Sequence, residues 1–209
     1  MALRAVVFDY GMVLSGPQDP AAHAEMIRLT GLPVKRFEEL YWVDRHTYDE
    51  GKLTGLEYWR KLARDGGLNL SEPKIAELSR IDAITWSTVN ERMVAWQTQL
   101  KQRGLLTGIL SNMGDSVLEV LLEKHAWIAN FDVHVWSYQL LMAKPDPAIY
   151  HHTLAKLGTE PQETLFIDDK SENIAAAQAL GIHAIQFSTA DKLRTALIAT
   201  GLDKELSLP

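Results

Sequence analysis

Several short apolar segments of the chain are continuous in hydrophobicity, which is typical of strands covered on both faces of a parallel sheet. They predict five strands, at residues 5–8, 105–110, 131–135, 164–167 and 183–187. After the second segment, the apolar runs alternate with patterns of helical period. Such alternation favours an α/β fold with a parallel sheet and right-handed crossovers.

The helical patterns between these strands carry end signals. Asp115 is predicted to be the N-cap of one helix. Asp146 is the predicted N-cap of another, which has Pro147 in its first position and Gly158 just past its end. A third helix closes on Gly181 in the same way. These signals support the alternation of strands and helices.

The segment between the first two strands breaks this alternation. Apolar residues recur there at helical spacing, and a polar loop is predicted at 64–73 between two of the helices. The apolar stripes comprise Leu56, Trp59 and Leu62, then Ile75, Leu78, Ile81 and Ile84, and finally Val89, Met93, Trp96 and Leu100. Core packing accounts for all three stripes. We therefore predict a helical domain at 17–94, inserted into an α/β core formed by residues 1–16 and 95–209.

Charge and cysteine content narrow the class of protein. The net charge of −6 disfavours a nucleic-acid partner, because surfaces that hold phosphate backbones carry a basic excess. The absence of cysteine excludes disulfides, thiol catalysis and thiolate metal sites. No apolar run approaches the roughly 20 residues that span a membrane, and no secretion leader is recognisable. We expect a cytoplasmic protein without a membrane partner, and the pattern leaves its oligomeric state open.

Polar side chains follow four of the predicted strands. In an open parallel sheet, ligands bind beyond the carboxyl ends of the strands, so these side chains should lie near one another. Three carboxylates there would repel one another unless a cation lies among them, and hard oxygen ligands suit Mg²⁺. A lysine and a hydroxyl add donors for an anion, and the set describes phosphoryl transfer through an aspartyl-phosphate. The residues are Asp9, Ser111, Asn112, Lys144, Asp168 and Asp169.

These segments resemble the four motifs of the haloacid dehalogenase (HAD) superfamily, in the family's order. The matching stretches are "VVFDYGMVL", "GILSNMG", "MAKPDPAIY" and "LFIDDKSEN". The helices from about residue 20 to residue 86 lie where the family inserts a helical cap of the C1 type. The resemblance covers nearly the whole chain. It implies a Rossmann-like core with a cap, and Mg²⁺-dependent hydrolysis of a small phosphorylated metabolite.

The resemblance also implies a metal site and a nucleophile. Asp9 would attack phosphorus in line and become phosphorylated. Mg²⁺ would be held by the carboxylate of Asp9, by the backbone carbonyl of Gly11, and by Asp168 and Asp169.

The remaining motif residues are implied to bind the phosphoryl group. Ser111 and Lys144 would hold its oxygens, with Asn112 assisting, and Lys144 would offset the crowded negative charge. Asn173, one turn into the last motif's helix, is either a residue that orients a metal ligand or a simple helix cap.

Gly11 departs from the common pattern of the family. Most of its phosphatases carry an aspartate two residues after the nucleophile, which serves as general acid and then as general base. Gly11 retains the backbone carbonyl but cannot move a proton, and general acid–base catalysis is worth about 10²–10⁴-fold. One subset, which includes bacterial sugar-1-phosphate phosphatases, has a similar Asp-x-Gly-x-Val segment. This subset indicates that the glycine need not abolish activity, and it places sugar phosphates among the candidate substrates.

Two other functions stay open. The dehalogenase branch uses the same first aspartate without a metal, but its fourth motif resembles Ser-Ser-Asn and a Tyr stands two residues after the nucleophile. A HAD-fold binding or regulatory protein with little turnover is the other alternative, because Gly11 lacks the proton donor. The Asp168–Asp169 pair favours the phosphatase, since two adjacent carboxylates without a cation would be an electrostatic liability.

Specificity is expected from the cap segment at residues 41–55, "YWVDRHTYDEGKLTG". Arg45 is a candidate for binding a second anionic group, and His46 or Asp44 could donate a proton. The alternative is an ordinary solvated helix end with Trp42 in the core of the cap.

Overall fold

A single parallel sheet organises the chain, of which a computed structural model describes residues 2–208. Its strands are β1 (Ala5–Phe8), β2 (Leu106–Ser111), β3 (Val133–Trp136), β4 (Thr164–Asp168) and β5 (His183–Gln186). They lie in the order β3-β2-β1-β4-β5, and every neighbouring pair is parallel. The α/β prediction is confirmed, with all five strands within two residues of the predicted bounds.

The central strand β1 is buried on both faces, as its continuous hydrophobicity predicts. Val6 and Phe8 point into one apolar cluster, and Ala5 and Val7 point into a second cluster on the opposite face. The chain leaves β1 for β2 on one side and later returns to β4 on the other. Strand order thus reverses at β1, and its carboxyl end is the place where open α/β sheets form a binding crevice.

The described residues also form eleven α-helices. Six lie between β1 and β2: α1 (Pro20–Thr30), α2 (Val34–Val43), α3 (Arg45–Asp49), α4 (Gly55–Asp65), α5 (Glu72–Thr85) and α6 (Glu91–Gln102). The others are α7 (Asp115–Lys124), α8 (Ser137–Leu140), α9 (Pro147–Leu157), α10 (Ser171–Ala179) and α11 (Ala190–Ala199). Short helical turns occupy Ala126–Asn130 and Pro161–Glu163, and Tyr10–Leu14 forms a kinked turn whose backbone is not helical at Gly11 and Met12. No helix among residues 2–208 combines the length and apolarity that membrane crossing requires.

Most of the predicted helix ends are confirmed. Asp146 caps α9 by accepting from the amide of Ala148, and Gly158 follows that helix in the left-handed conformation. The prediction for Asp115 is wrong, because Gly114 takes the N-cap position of α7. The Asp115 carboxylate instead accepts a 2.9 Å hydrogen bond from the amide of Gly55. It therefore joins the helices before β2 to α7.

The inserted helices pack closely on the α/β part. Ser79 of α5 donates to Ser116 of α7 across 3.1 Å, and a Cβ on Gly114 would collide with the ring of Tyr48. One apolar cluster runs through both parts of the chain. The division into domains at 17–94 and the remainder stays a prediction. The predicted stripes are buried or half-buried except at Leu56, which is 39% exposed because α4 turns that side to solvent.

Candidate active site

Strand register brings two of the predicted carboxylates side by side. Phe8 lies opposite Ile167 in the β1–β4 pairing, and the amide of Asp9 donates to the carbonyl of Ile167 across 2.8 Å. Asp9 and Asp168 are the next residues on these two strands. The sheet therefore presents both carboxylates at the carboxyl end of its centre.

A buried lysine joins these carboxylates. The Nζ atom of Lys144 lies 2.9 Å from Oδ1 of Asp9 and 2.6 Å from Oδ2 of Asp168, and it donates to the carbonyl of Leu110 across 2.9 Å. An ammonium group has three N–H donors, so all three are satisfied. Lys144 is 2% exposed, and its proximity to both acids raises its pKa against the effect of burial. The ammonium of Lys144 thus lies between the two acids, as its predicted role in offsetting their charge requires.

Asp168 is the most firmly held of the acids. The amide nitrogen of Asn173 lies 3.0 Å from each of its oxygens, and the backbone amide of Lys170 donates to Oδ1 across 2.8 Å. Asn173 is the third residue of α10, and the N-cap position of that helix belongs to Lys170. The structure therefore decides between its two predicted roles: Asn173 orients Asp168.

Asp169 completes a set of three acids that could hold a metal ion. Asp9, Asp168 and Asp169 each offer one carboxylate oxygen, and these atoms lie within 4.8 Å of one another. Gly11, whose carbonyl is the fourth predicted ligand, borders the same cavity. An all-oxygen donor set with room for water suits Mg²⁺. The residues present therefore fit the cation that the sequence predicts.

Burial and mutual repulsion raise the pKa values of two of these acids. Burial raises the pKa of Asp9 to about 6, with Lys144 acting in the opposite direction and Asp168 adding to the rise. The pKa of Asp169 is raised as well, first by burial and then by Asp168. A divalent cation among these groups would favour their ionised forms.

The second motif supplies a hydroxyl and an amide at the end of β2. Ser111 is the last residue of the strand, and it borders the cavity. The side chain of Asn112 donates to the carbonyl of Lys144 across 2.9 Å and accepts from its amide across 2.8 Å. Asn112 thus positions the lysine, and the second N–H of its amide stays available for a ligand.

Gly11 does not need to be a glycine on conformational grounds. Its φ of −60° and ψ of 129° are accessible to any residue. A Cβ at this position would meet only Oδ2 of Asp9 within 4 Å, at 3.9 Å. The backbone and the space around a Cβ therefore accept a side chain at this position, which borders the cavity.

A cavity of about 690 Å³ lies over these strand ends and reaches the inserted helices. Aromatic walls come from Trp42 and Trp86, and Met12 adds an apolar edge. Trp42 is 49% exposed, so its predicted place in the core of the cap is wrong; its indole projects beside the cavity instead. His46 borders the cavity with its side chain 69% exposed, and its role toward substrate stays a prediction.

Arg45 borders the cavity, but its guanidinium is already paired with acids inside the protein. Its guanidinium lies 3.0 Å from Asp82 and 3.1 Å from Asp49, and the rings of Tyr41 and Tyr48 pack against it. Two carboxyl groups already accept its hydrogen bonds, and its binding of a second anionic group stays a prediction. The pairing of Arg45 with Asp82 could not be predicted from periodicity, because Asp82 lies on another helix, far along the chain.

Gln18 and Asp49 are polar residues of the cavity that the sequence analysis did not single out. Gln18 borders it with a buried side-chain nitrogen that has no partner among the described residues. Asp49 borders it as well, with its side chain 19% exposed. The spacing of Arg45 and Asp49, four residues apart on one helix, was the available signal for the second. Asp44, in contrast, pairs with Lys61 and does not border the cavity.

Comparison with known proteins agrees with this geometry. The family model of haloacid dehalogenase-like hydrolases matches residues 3–181, which contain all four motifs. Phosphatase MT3486 of Mycobacterium tuberculosis is 28% identical over 206 residues, covering 95% of this chain and 93% of that protein. Sesquiterpene phosphatase astK of Aspergillus oryzae is 34% identical over 150 residues, covering 72% of this chain and 74% of its own.

Other similar proteins are larger or share only the fold. The chain is 28% identical to bifunctional epoxide hydrolase 2 of Mus musculus over 96% of its own length, but it spans 39% of that protein. HAD family enzyme bt-2542 of Bacteroides thetaiotaomicron, in complex with magnesium and inorganic phosphate, superposes with a TM-score of 0.74 at 22% identity, covering 90% of this chain and 95% of that one. L-2-haloacid dehalogenase of Xanthobacter autotrophicus superposes with a TM-score of 0.69 at 19% identity, covering 96% of this chain and 84% of that one. From the motif geometry and the matched family model, the chain belongs to the haloacid dehalogenase-like hydrolases.

Proposed function

We propose that this hydrolase is a Mg²⁺-dependent phosphatase that acts on a small phosphorylated metabolite through an aspartyl-phosphate on Asp9. One observation carries the proposal: Lys144 bridges Asp9 and Asp168 while Asp169 offers an oxygen within 4.8 Å of theirs. This combines a nucleophile, a divalent-cation site and a cationic group at one sheet edge. The relatives named as phosphatases support it.

Asp9 is held for attack. Its Oδ1 accepts from the amide of Tyr10 across 2.7 Å and lies against Lys144, so the side chain cannot rotate freely. Oδ2 is the oxygen that the lysine does not hold, and we assign it as the attacking atom. The P–O bond to the leaving group breaks as the new bond to Asp9 forms, and water then cleaves the aspartyl-phosphate at phosphorus.

The metal would be held by Asp9, Asp168, Asp169 and the carbonyl of Gly11. When bound, Mg²⁺ neutralises phosphoryl charge and fixes the group in line with the nucleophile. Asn173 keeps the carboxylate of Asp168 in one orientation for this purpose. Ser111 and the free N–H of Asn112 are the proposed donors to the phosphoryl oxygens, with Lys144 supplying the balancing charge.

Metal removal tests the proposed function directly. We expect phosphate release from an aryl phosphate in the presence of Mg²⁺, loss of release when EDTA is added, and recovery when Mg²⁺ is restored in excess. The reason is that three acids converge where the phosphoryl group must bind, and without the cation they repel it. Phosphate is measured colorimetrically. A 2-haloacid is assayed in parallel, and halide release that survives EDTA would establish the dehalogenase alternative instead.

The aromatic walls predict which part of the substrate the cap contacts. Trp42 offers an exposed indole beside the cavity, so an ester with a ring in its organic part should stack on it, whether that ring belongs to a sugar or to an aromatic group. Such contacts are worth about 0.5–1.5 kcal/mol. We expect Trp42→Ala to raise KM for ring-containing esters about two- to tenfold while kcat changes little. The control is Val43→Ala, which alters an exposed neighbour that does not border the cavity. An equal effect of both variants would contradict the stacking role.

A further inference from the structure

Glycine at position 11 leaves the proposed reaction without an obvious proton donor. An alkoxide leaving group must receive a proton as its bond to phosphorus breaks, and the backbone of Gly11 cannot supply one. Another ionisable group that borders the cavity can supply the proton, and the cap faces the strand ends across that cavity. Those on the cap side are Arg45, His46 and Asp49.

Two of these three groups are poor donors. Arg45 stays charged and is paired with two carboxylates. His46 holds its side chain 69% exposed, where nothing fixes the direction of its ring except a 3.9 Å contact with Glu50. Asp49 differs from both, because its side chain is largely buried and its position is fixed.

Charge balance around Arg45 favours a proton on Asp49. One guanidinium is hydrogen-bonded to two buried carboxyl groups, and the other nearby cation, Lys170, is exposed and screened by solvent, so the buried cluster carries an excess negative charge when both carboxyl groups are ionised. Asp82, whose side chain is 1% exposed, accepts from Arg45 at 3.0 Å and from the hydroxyl of Tyr41 at 2.7 Å. Asp49 receives only the Nε of Arg45, at 3.1 Å. The proton that removes the excess charge therefore belongs on Asp49, the carboxyl that borders the cavity.

The end of α3 is anchored to the loop that carries the second motif. The hydroxyl of Ser137 donates to the backbone carbonyl of Asp49, and the same hydroxyl accepts from the amide of Met113 across 2.8 Å. Met113 follows Ser111 and Asn112 directly. A carboxyl on the cap is thus held at a fixed place relative to the groups proposed to bind the phosphoryl oxygens.

We propose that Asp49 is the general acid, and then the general base, of this phosphatase, and that it takes the role Gly11 cannot perform. The inference rests on the proposed function. It assigns the carboxyl from the cap that would exchange protons at the leaving oxygen and at the hydrolytic water.

The proton balance of the two steps is complete. In the first step Oδ2 of Asp9 bonds to phosphorus, the P–O bond to the alcohol breaks, and the leaving oxygen takes the proton of Asp49. In the second step Asp49, now a carboxylate, takes a proton from the attacking water. The new P–O bond forms, the bond to Asp9 breaks, and the products are the alcohol and inorganic phosphate.

The surroundings of Asp49 place its titration in a useful range. Burial raises its pKa to about 6, with Arg45 and Lys170 opposing the rise and Asp82 adding to it. These charged groups face it from α3 itself, from α5 and from the segment after β4, alongside the phenols of Tyr48 and Tyr58. An acid with a pKa near the operating pH can both give and take a proton.

Leaving-group dependence provides the test. Asp49→Asn retains the shape and the neutral charge of the protonated acid, so we expect the variant to fold. Its kcat/KM for an alkyl phosphate should fall about 10²–10⁴-fold. For an aryl phosphate with a weakly basic leaving group the fall should be less than about tenfold. The decline of kcat/KM above about pH 6 on the alkyl ester should be present in the wild type and absent from the variant.

A rescue and a control sharpen the result. Gly11→Asp, for which the backbone and the surrounding space are suitable, should restore alkyl phosphate hydrolysis in the Asp49→Asn background. Asp44→Asn removes a nearby carboxyl that does not border the cavity, and it should leave kcat/KM unchanged for both the alkyl and the aryl phosphate. Equal losses of Asp49→Asn on both esters, or no loss on either, would overturn the assignment.

The wild type alone gives an independent measurement. With a proton donor in place, kcat/KM should depend weakly on the basicity of the leaving group across a series of esters. A steep dependence would contradict the role of Asp49 whatever the variants do. If no ester releases phosphate in Mg²⁺, the proposed function itself fails. That outcome differs from a negative result with the Asp49→Asn variant and from a steep leaving-group dependence of the wild type.

Discussion

Asp9→Asn is expected to abolish phosphate release while leaving the protein folded. The amide cannot form the aspartyl-phosphate, and removal of a nucleophile acts on the scale of about 10⁴-fold or more. Aryl phosphate turnover in Mg²⁺, with wild type and variant at equal concentration, measures the loss. A good leaving group does not rescue the variant, in contrast to the expectation for Asp49→Asn.

The same substitution should not lower stability in the absence of Mg²⁺. Burial raises the pKa of Asp9 to about 6, so above that pH the ionised carboxyl is less favourable in the folded chain than in the unfolded one. A neutral amide removes this cost at neutral pH. Thermal unfolding at pH 7 should therefore give Asp9→Asn a Tm equal to or above that of the wild type. A variant that is inactive because it is unfolded would contradict this reasoning.

Lys144→Met is expected to cost about 3–5 kcal/mol of unfolding free energy and most of the activity. Its ammonium lies between Asp9 and Asp168 with 2% of the residue exposed, and its removal leaves two buried carboxylates without their shared cation. Denaturant unfolding in EDTA measures the loss. Because a divalent cation would supply positive charge to the same acids, added Mg²⁺ should raise the Tm of the variant more than that of the wild type.

The control for Lys144→Met is Lys170→Met. Lys170 is exposed, although it also stands next to the acids in sequence, and surface substitutions of this kind change stability by about 0.5 kcal/mol or less. Similar losses for both variants would show that proximity to the acids, rather than the buried bridge, determines stability.

The sheet and its chemistry could be predicted because they depend on local patterns. A strand buried on both faces must be apolar throughout. The central strand is predicted in this way from Val6, Val7 and Phe8. Parallel register then brings together the residues that follow each strand, which is why Asp9 and Asp168 could be placed at one edge. Lys144 does not directly follow the end of β3, so strand register alone could not place it at this edge. Its resemblance to the third motif was needed to add it to the predicted site.

The cap was less predictable because its side chains are placed by contacts distant in sequence. Arg45 was a candidate for binding a second anionic group, yet Asp82 and a group of tyrosine rings hold it in the interior. Trp42 was expected inside, yet α2 leaves its indole exposed beside the cavity. Periodicity predicts that a helix exists but does not show which of its sides meets the core. For that reason Asp49 was not predicted to border the cavity.

The central claim is that Asp9 becomes covalently phosphorylated, and rapid acid quenching tests it most directly. Enzyme in excess is mixed with an aryl phosphate in Mg²⁺, quenched at successive times, digested and weighed by mass spectrometry. The peptide that contains Asp9 should transiently gain the mass of one phosphoryl group, and the gain should be absent in Asp9→Asn. Phosphate release with this peptide unmodified at every time point, or with the phosphoryl group on another residue, would contradict the account.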